Sequence, residues 1–296
     1  MKEFLPISQE DINARGWEQI DFLFISGDAY VDHPSFGPAV ICRVLEAQGY
    51  KVALLCQPDW RKLKNFEVLD KPRLAVLISG GNLDSMLCHY TAAKKPRKKD
   101  AYTPGGEMGK RPDHATVVYS QQIKRLWPEM PVIIGGIEAS LRRFAHFDYW
   151  ENKILPSILV ESNADLLIYG MGEKQIVEIA DYLAGGAIIE DIHYVRGTAY
   201  LADDLQALDE FIELPSLEDI LKEIYRGRRL LTLITYKVKN LIHFPGRLLS
   251  KRTAKNSLFK IKCHFLCHRK KWMLFMIWIM CVLIIRLTKN TEECLQ

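Results

Sequence analysis

A chain of 296 residues, 48% apolar and 26% charged, is long enough for two modest domains or one large one, and this composition excludes wholesale disorder. The net charge of +4 is gathered largely in KKPRKKD at 94–100 and HRKK at 268–271, so no general basic field argues for nucleic-acid binding. Cysteines at 42, 56, 88, 263, 267, 281 and 294 lack the spacing of a disulfide framework, and MKEFLPISQEDINARGW has no signal-peptide core, so a reduced, cytoplasmic protein is expected.

From residue 21, short apolar runs alternate with helical segments. DFLFIS (21–26) predicts a strand, and in GPAVICRVLEAQGY behind it Val40, Val44, Leu45 and Ala47 are spaced for one helix face, with Gly49 at the C-cap. KVALLC (51–56) and RLAVLIS (73–79) predict the next two strands. The basic run at 94–99 then opens a turn-rich insertion, DAYTPGGEMGKRPDH, long enough to be a functional lid or a mobile loop. HATVVYSQQIKRLW (114–127) predicts a helix, PVIIGG (131–136) and ADLLIYG (164–170) predict strands, and GEKQIVEIADYLAGG predicts a helix ending in a glycine pair. Strands that are apolar throughout are covered on both faces, as in a parallel sheet, so residues 20–200 read as a doubly wound, mainly parallel α/β domain.

Such sheets bind ligands beyond the carboxyl ends of their strands, where strand order reverses. The segments that follow the strands are GDAYVDHPSFG, SGGNLDS, GGIEASLRRFAHFDYW and YGMGEKQ, each pairing glycine with nearby polar or acidic residues. Three of them nominate a ligand-binding crevice made of Asp28, Asp32 and His33, of Gly80, Gly81 and Asn82, and of Gly136, Glu138, Ser140, Arg142 and Arg143. His33 either ligates or moves a proton, or caps its turn. Arg142 and Arg143 either hold a phosphate or carboxylate or lie on a solvated helix face, and Glu138 and Arg142, four apart, either serve a ligand or pair with each other. No Walker A motif, no GxGxxG after the first strand and no HExxH is present, so neither catalytic nor metal residues are nominated.

MKEFLPIS, RGWEQIDFLFISGDAYVDHPSFGPAVICRVLEAQGY, QPDW, SGGNLDSMLCHYTAAKKPRKKDAYTPGG, IIGGIEASLRRFAHFDYW and YGMGEKQIVEI together resemble the N-terminal region of YgiQ family radical-SAM proteins, over residues 1–236. The resemblance implies a cytoplasmic protein whose N-terminal α/β domain, similar in layout to cobalamin-binding domains, precedes a radical-SAM barrel. There a CxxxCxxC loop holds a [4Fe-4S] cluster that binds S-adenosylmethionine. This chain has no CxxxCxxC; Cys263 and Cys267 have no third cysteine three residues on. Nor does it have the Asp-x-His-x-x-Gly pattern of cobalamin ligation, GDAYVDHPSFG offering the residue types in another spacing. The barrel is therefore expected to be missing, and neither cofactor is expected on this chain.

The tail explains the departure. Cys263, His264, Cys267 and His268 stand too close together to wrap one tetrahedral zinc, and Trp272 to Ile285 is too short to span a bilayer, although a monotopic anchor remains an alternative. Trp and Met have one codon each, so KWMLFMIWIMC dictates most of its own nucleotides. Read from each codon's third base, they permit Met-Asp-Ala-Val-Tyr-Asp-Leu-Asp-Tyr-Val, and the same frame then permits Arg-Thr-Tyr-His-Pro-Thr-Tyr-Glu-Lys-Tyr-Arg-Gly-Val-Ser-Ala. That peptide resembles the segment the family carries before its cluster loop. Residues 237–296 thus read as an out-of-frame tail rather than a domain, the break lying near Lys237 to Asn240, with no genuine transmembrane segment. The expectation is a truncated, catalytically inactive radical-SAM N-terminal domain of unknown substrate; the alternative is a stand-alone module binding a small molecule or macromolecular partner.

Overall fold

The computed structural model describes residues 4–202, 211–214, 216–225, 247–250 and 258–262. Helix α1 (Gln9–Ala14) opens with a capping box, in which the Ser8 hydroxyl accepts from Asp11 N–H and the Asp11 carboxylate accepts from Ser8 N–H. Then come β1 (Phe22–Ser26), α2 (Gly37–Ala47), β2 (Val52–Cys56), β3 (Ala75–Ser79), α3 (Ser85–His89), α4 (Ala115–Leu126), β4 (Val132–Gly135), α5 (Gly136–Leu141), β5 (His146–Asp148) and β6 (Lys153–Leu155). They are followed by α6 (Ile158–Ser162), β7 (Leu166–Ile168), α7 (Glu173–Ala184), β8 (Thr198–Ala202), β9 (Phe211–Leu214), α8 (Leu217–Tyr225), β10 (Arg247–Ser250) and β11 (Leu258–Lys262).

Strands β5 and β6 form a separate antiparallel ribbon; the others form one nine-stranded sheet in the order β2-β1-β3-β4-β7-β8-β11-β10-β9. Its first five strands are all parallel, with Phe24 opposite both Leu54 and Leu77. Strand β8 runs antiparallel to β7 and β11, β11 antiparallel to β10, and β10 parallel to β9. The expected doubly wound, mainly parallel sheet is therefore present, with an antiparallel extension that the apolar runs did not announce.

Alternation along each central strand splits the interior into two cores. Phe22, Phe24, Leu77, Ile133 and Ile168 point to the side that packs residues of α2 and α7. Leu23, Ile25, Val76, Ile78 and Ile134 point to the side that packs Ala115, Tyr119 and Ile123 of α4. Each such fully buried aliphatic or aromatic side chain contributes about 1.5–3 kcal/mol.

The face of α2 differs from the expected one. Pro38, Ala39, Cys42 and Leu45 are buried, whereas Ala47 is exposed and Val40 and Val44 only half-buried. The stripe at 38, 42 and 45 follows the helical repeat from its proline-containing first turn, and Cys42 reads as an ordinary small core residue there.

Among the described residues no helix is long and apolar enough to cross a membrane. The Cys/His pairs at 263–268, the apolar run at 272–285 and the break at 237–240 all lie outside the described residues.

Candidate functional site

Chain order moves from β1 outward to β2 on one side and to β3, β4 and β7 on the other, so the strand order reverses at β1. At this edge lies a cavity of about 310 Å³. Its floor is the α2/α7 side of the sheet, with Phe24, Leu77, Ile133, Ile168 and Ile176, and Val40 and Ile41 wall it from α2. The rim is formed by Ser35, Ser79, Gly81, Asn82, Gly136 and Gly172. Among the described residues, Glu173, at the start of α7, is the single ionisable side chain in this lining.

Two glycines are required by contact as well as by backbone. Gly81 has φ +113°, and a Cβ there would stand 2.1 Å from Asp28 Oδ1. Gly136 has φ +80°, and a Cβ there would stand 2.5 Å from Ser79 Oγ. The loops after β1, β3 and β4 can therefore close on one another only with hydrogen at these positions.

Behind the rim, the charged residues bind each other. Asp28, fully buried, accepts from Arg111 Nη1 at 2.8 Å and from the Asn82 N–H at 2.6 Å. Arg111, equally buried, also donates to the Gly80 carbonyl at 2.7 Å and forks onto Asp100 at 3.0 and 3.2 Å. This ties the turn-rich insertion at 100–114, whose length suits a functional lid or a mobile loop, to the sheet edge. Burial pushes the Asp28 carboxyl above the usual carboxylate range despite Arg111.

Glu138 forms a second knot: its carboxylate accepts N–H groups of Ser85 at 2.8 Å and Thr116 at 3.0 Å. Burial opposes its charge, yet the Arg142 guanidinium and these donors hold it below its ordinary value. The Arg142 N–H closes α5 on the Glu138 carbonyl at 3.3 Å, while its guanidinium forms a buried ion pair with Asp84, the N-cap of α3.

The eleven nominated residues thus separate. Gly81, Asn82 and Gly136 line the cavity; Asp28, Gly80, Glu138 and Arg142 lie in the two knots behind it. Asp32 pairs with Arg43 of α2, and exposed His33 accepts the Ser35 N–H at Nδ1, 3.1 Å away, as a turn cap does. Ser140 Oγ accepts from Gly170 N–H at 3.2 Å, and the Arg143 guanidinium lies over the Phe144 and Tyr169 rings at 5.1 and 5.0 Å. Sequence reasoning missed Arg111, Asp100 and Asp84 as partners, because a lone arginine among turn residues gives no spacing that announces a buried fork. It also left out Glu173, although YGMGEKQ had been marked as a strand-end loop.

The described residues do not fit an iron–sulfur cluster. Cys42, Cys56 and Cys88 are each buried or half-buried and free, and burial raises all three thiols. Among the described residues no group of three His, Cys, Asp or Glu side chains is placed to hold a metal ion.

Fold and edge together define a doubly wound α/β domain with a strand-end cavity whose described lining residues include no lysine or arginine. The chain belongs to the radical SAM N-terminal family, whose model matches residues 4–261. It is 56% identical over 219 residues to a UPF0313 protein of Clostridium perfringens, covering 74% of this chain and 33% of the relative. A UPF0313 protein of Clostridium botulinum is 53% identical over 218 residues, covering 74% and 34%. The YgiQ resemblance is thereby confirmed, and the chain spans about a third of the length of the curated relatives it matches. Among solved structures, the radical S-adenosylmethionine methyltransferase TsrM from Kitasatospora setae, with tryptophan substrate and a SAM analog bound, matches 60% of this chain and 28% of its own. That match has a TM-score of 0.40 at 20% identity, a likeness that carries no argument.

Proposed function

We propose that the strand-end cavity is the ligand-binding site of the N-terminal domain of a cytoplasmic radical-SAM protein, and that the chain as given does not cleave S-adenosylmethionine. The observation that carries the first part is the convergence of loops from four parallel strands on one cavity, at the position where this architecture places its ligands. Of the eleven residues nominated by sequence, Gly81, Asn82 and Gly136 are the ones placed to touch a ligand; Asp28, Gly80, Glu138 and Arg142 act by holding the loops. Asp32, His33, Ser140 and Arg143 support the surrounding turns. In the intact family member, a [4Fe-4S] cluster and S-adenosylmethionine would supply the radical chemistry from a barrel carrying the CxxxCxxC loop.

The out-of-frame reading of residues 237–296 supports the second part. The family match to residue 261 and strands β10 and β11 pull the in-frame boundary later than 236, whereas the hidden codon pattern at 271–296 holds it before the tail. Reading the gene decides between them: one restored base should open a frame running into CxxxCxxC codons within a few dozen codons.

The ligand site is tested with Ile137→Trp, a half-buried position on the cavity wall. In a ligand-detected NMR screen of small heterocycles against the full chain, the wild type should capture binders that the tryptophan variant loses at unchanged melting temperature. Equal capture by both proteins would refute the site.

A further inference from the structure

We infer that the basic run at 94–99 and the aromatic cluster beside it form a docking surface for a single-stranded nucleic acid. The cavity lining takes no residue from this insertion. Lys94, Lys95, Arg97, Lys98 and Lys99 are all exposed, and a run like this is ordinarily a solvated face. Here two further observations point to a partner.

The first is that the run is built rather than loose. Tyr90 and Pro96 form a β-bridge, Thr91 N–H donates to the Lys95 carbonyl at 2.9 Å, and Arg97 N–H donates to the His89 carbonyl at 2.7 Å. The Arg97 side chain is spent on the Leu87 and Tyr90 carbonyls, at 3.0 and 3.2 Å. Fixing five cations in six positions concentrates like charge, and among the described residues no carboxylate pairs with Lys94, Lys95, Lys98 or Lys99. A fixed, uncompensated set of cations is what a phosphate backbone neutralises.

The second is the neighbouring aromatics. Lys94 Nζ donates to the Trp150 carbonyl at 3.2 Å and sits 4.7 Å from the Tyr149 ring centre. Trp150 in turn contacts Tyr149 at 5.3 Å and Tyr90 at 5.4 Å between ring centroids. Tyr149 remains 40% exposed even with Lys94 over its ring. Cations that track a backbone beside rings on which bases stack are the two parts of a single-strand binding surface. A duplex offers no free base faces and uses only the first part. The modest net charge of the chain is compatible with this, because the field is local.

The test is fluorescence anisotropy of the full chain with a labelled oligouridine dodecamer. Micromolar binding is expected, with the dissociation constant rising with salt at a log–log slope of about 3, as four or five neutralised phosphates require for a single strand. Lys95→Glu/Lys98→Glu/Lys99→Glu should abolish binding at unchanged melting temperature. Tyr149→Leu should weaken it about fivefold to a hundredfold, and Tyr149→Phe, which keeps the ring and loses its hydroxyl bond to the Ala92 carbonyl, should bind as wild type. Three results overturn the proposal: no binding at about 50 mM salt, binding that is indifferent to Tyr149→Leu or equal for duplex of the same length, or tighter binding to phosphatidylserine vesicles than to the oligonucleotide.

Discussion

The two sides of the sheet treat the same carboxyl edge in opposite ways. On the α2/α7 side the strand ends stop at an apolar cavity with one carboxylate, Glu173, in its lining. On the α4 side the edge is packed with buried charge: Arg111 between Asp28 and Asp100, Glu138 under Ser85 and Thr116, and Arg142 on Asp84. The ionisable residues clustered at strand ends are thus mostly scaffold. They hold three glycine-bearing loops close enough to enclose a void, and the void itself is left nearly neutral. Polar residues at such an edge cannot be assumed to face a ligand, since buried charges need partners before a ligand is present.

The comparison breaks most visibly at Arg111. Arg111→Ala leaves two carboxylates buried and unpaired, and a loss of about 3–5 kcal/mol is expected in urea denaturation. A cavity-side change such as Ile137→Trp should cost far less. If Arg111→Ala is as mild as Ile137→Trp, the charged side is not the scaffold.

Gly81→Ala comes next, because it combines φ +113° with a collision at the Asp28 carboxylate, an atom already held by Arg111 and Asn82. Its cost should be about 1–3 kcal/mol, the range for a strained backbone site. Gly16→Ala, with φ +67° and nothing within 4 Å, isolates the strain from the collision, so the two thermal midpoints should differ clearly.

Glu138→Gln sharpens the comparison through pH. A carboxyl held below its ordinary value of 4.5 contributes stability that is complete above that pH and is lost as pH falls through the folded-state value. Asp28, raised in the fold, acts the other way, favouring the folded state in acid and costing stability once pH exceeds its folded value. Wild type should therefore lose stability on acidification below about pH 4.5, and Glu138→Gln should flatten that limb while lowering stability at neutral pH by about 1–3 kcal/mol. An unchanged acid limb in the variant would remove Glu138 from the scaffold.

The smallest effect is expected at His33. It is exposed and its Nδ1 only accepts a turn N–H, so His33→Ala should leave both the melting temperature and ligand capture by the cavity unchanged. Loss of capture with an intact fold would restore His33 to the site.

The sequence by itself determined the central strands, the three long helices and the edge at which the cavity opens. Those follow from local rules: apolar runs bounded by turns, a helical repeat, and glycine behind each strand. Residues 22–26, 52–56, 75–79 and 132–135 are strands inside the ranges their apolar runs predict. Where readings failed, a local pattern met a nonlocal partner. The stripe on α2 was misjudged because packing against the sheet and α7 chose Cys42 over Val40 and Val44. Glu138 and Arg142, one helical turn apart, do feel each other's charge, but α3 and the first turn of α4 bring each of them further partners, Ser85 and Thr116 N–H to Glu138 and Asp84 to Arg142, that spacing alone does not show. Arg111 reaches Asp28, 83 positions away, and no spacing rule covers that distance. Only the tertiary structure decided which charges were consumed and which surfaces stayed open, since a buried charge is settled by whichever partner the folded chain brings within hydrogen-bond reach.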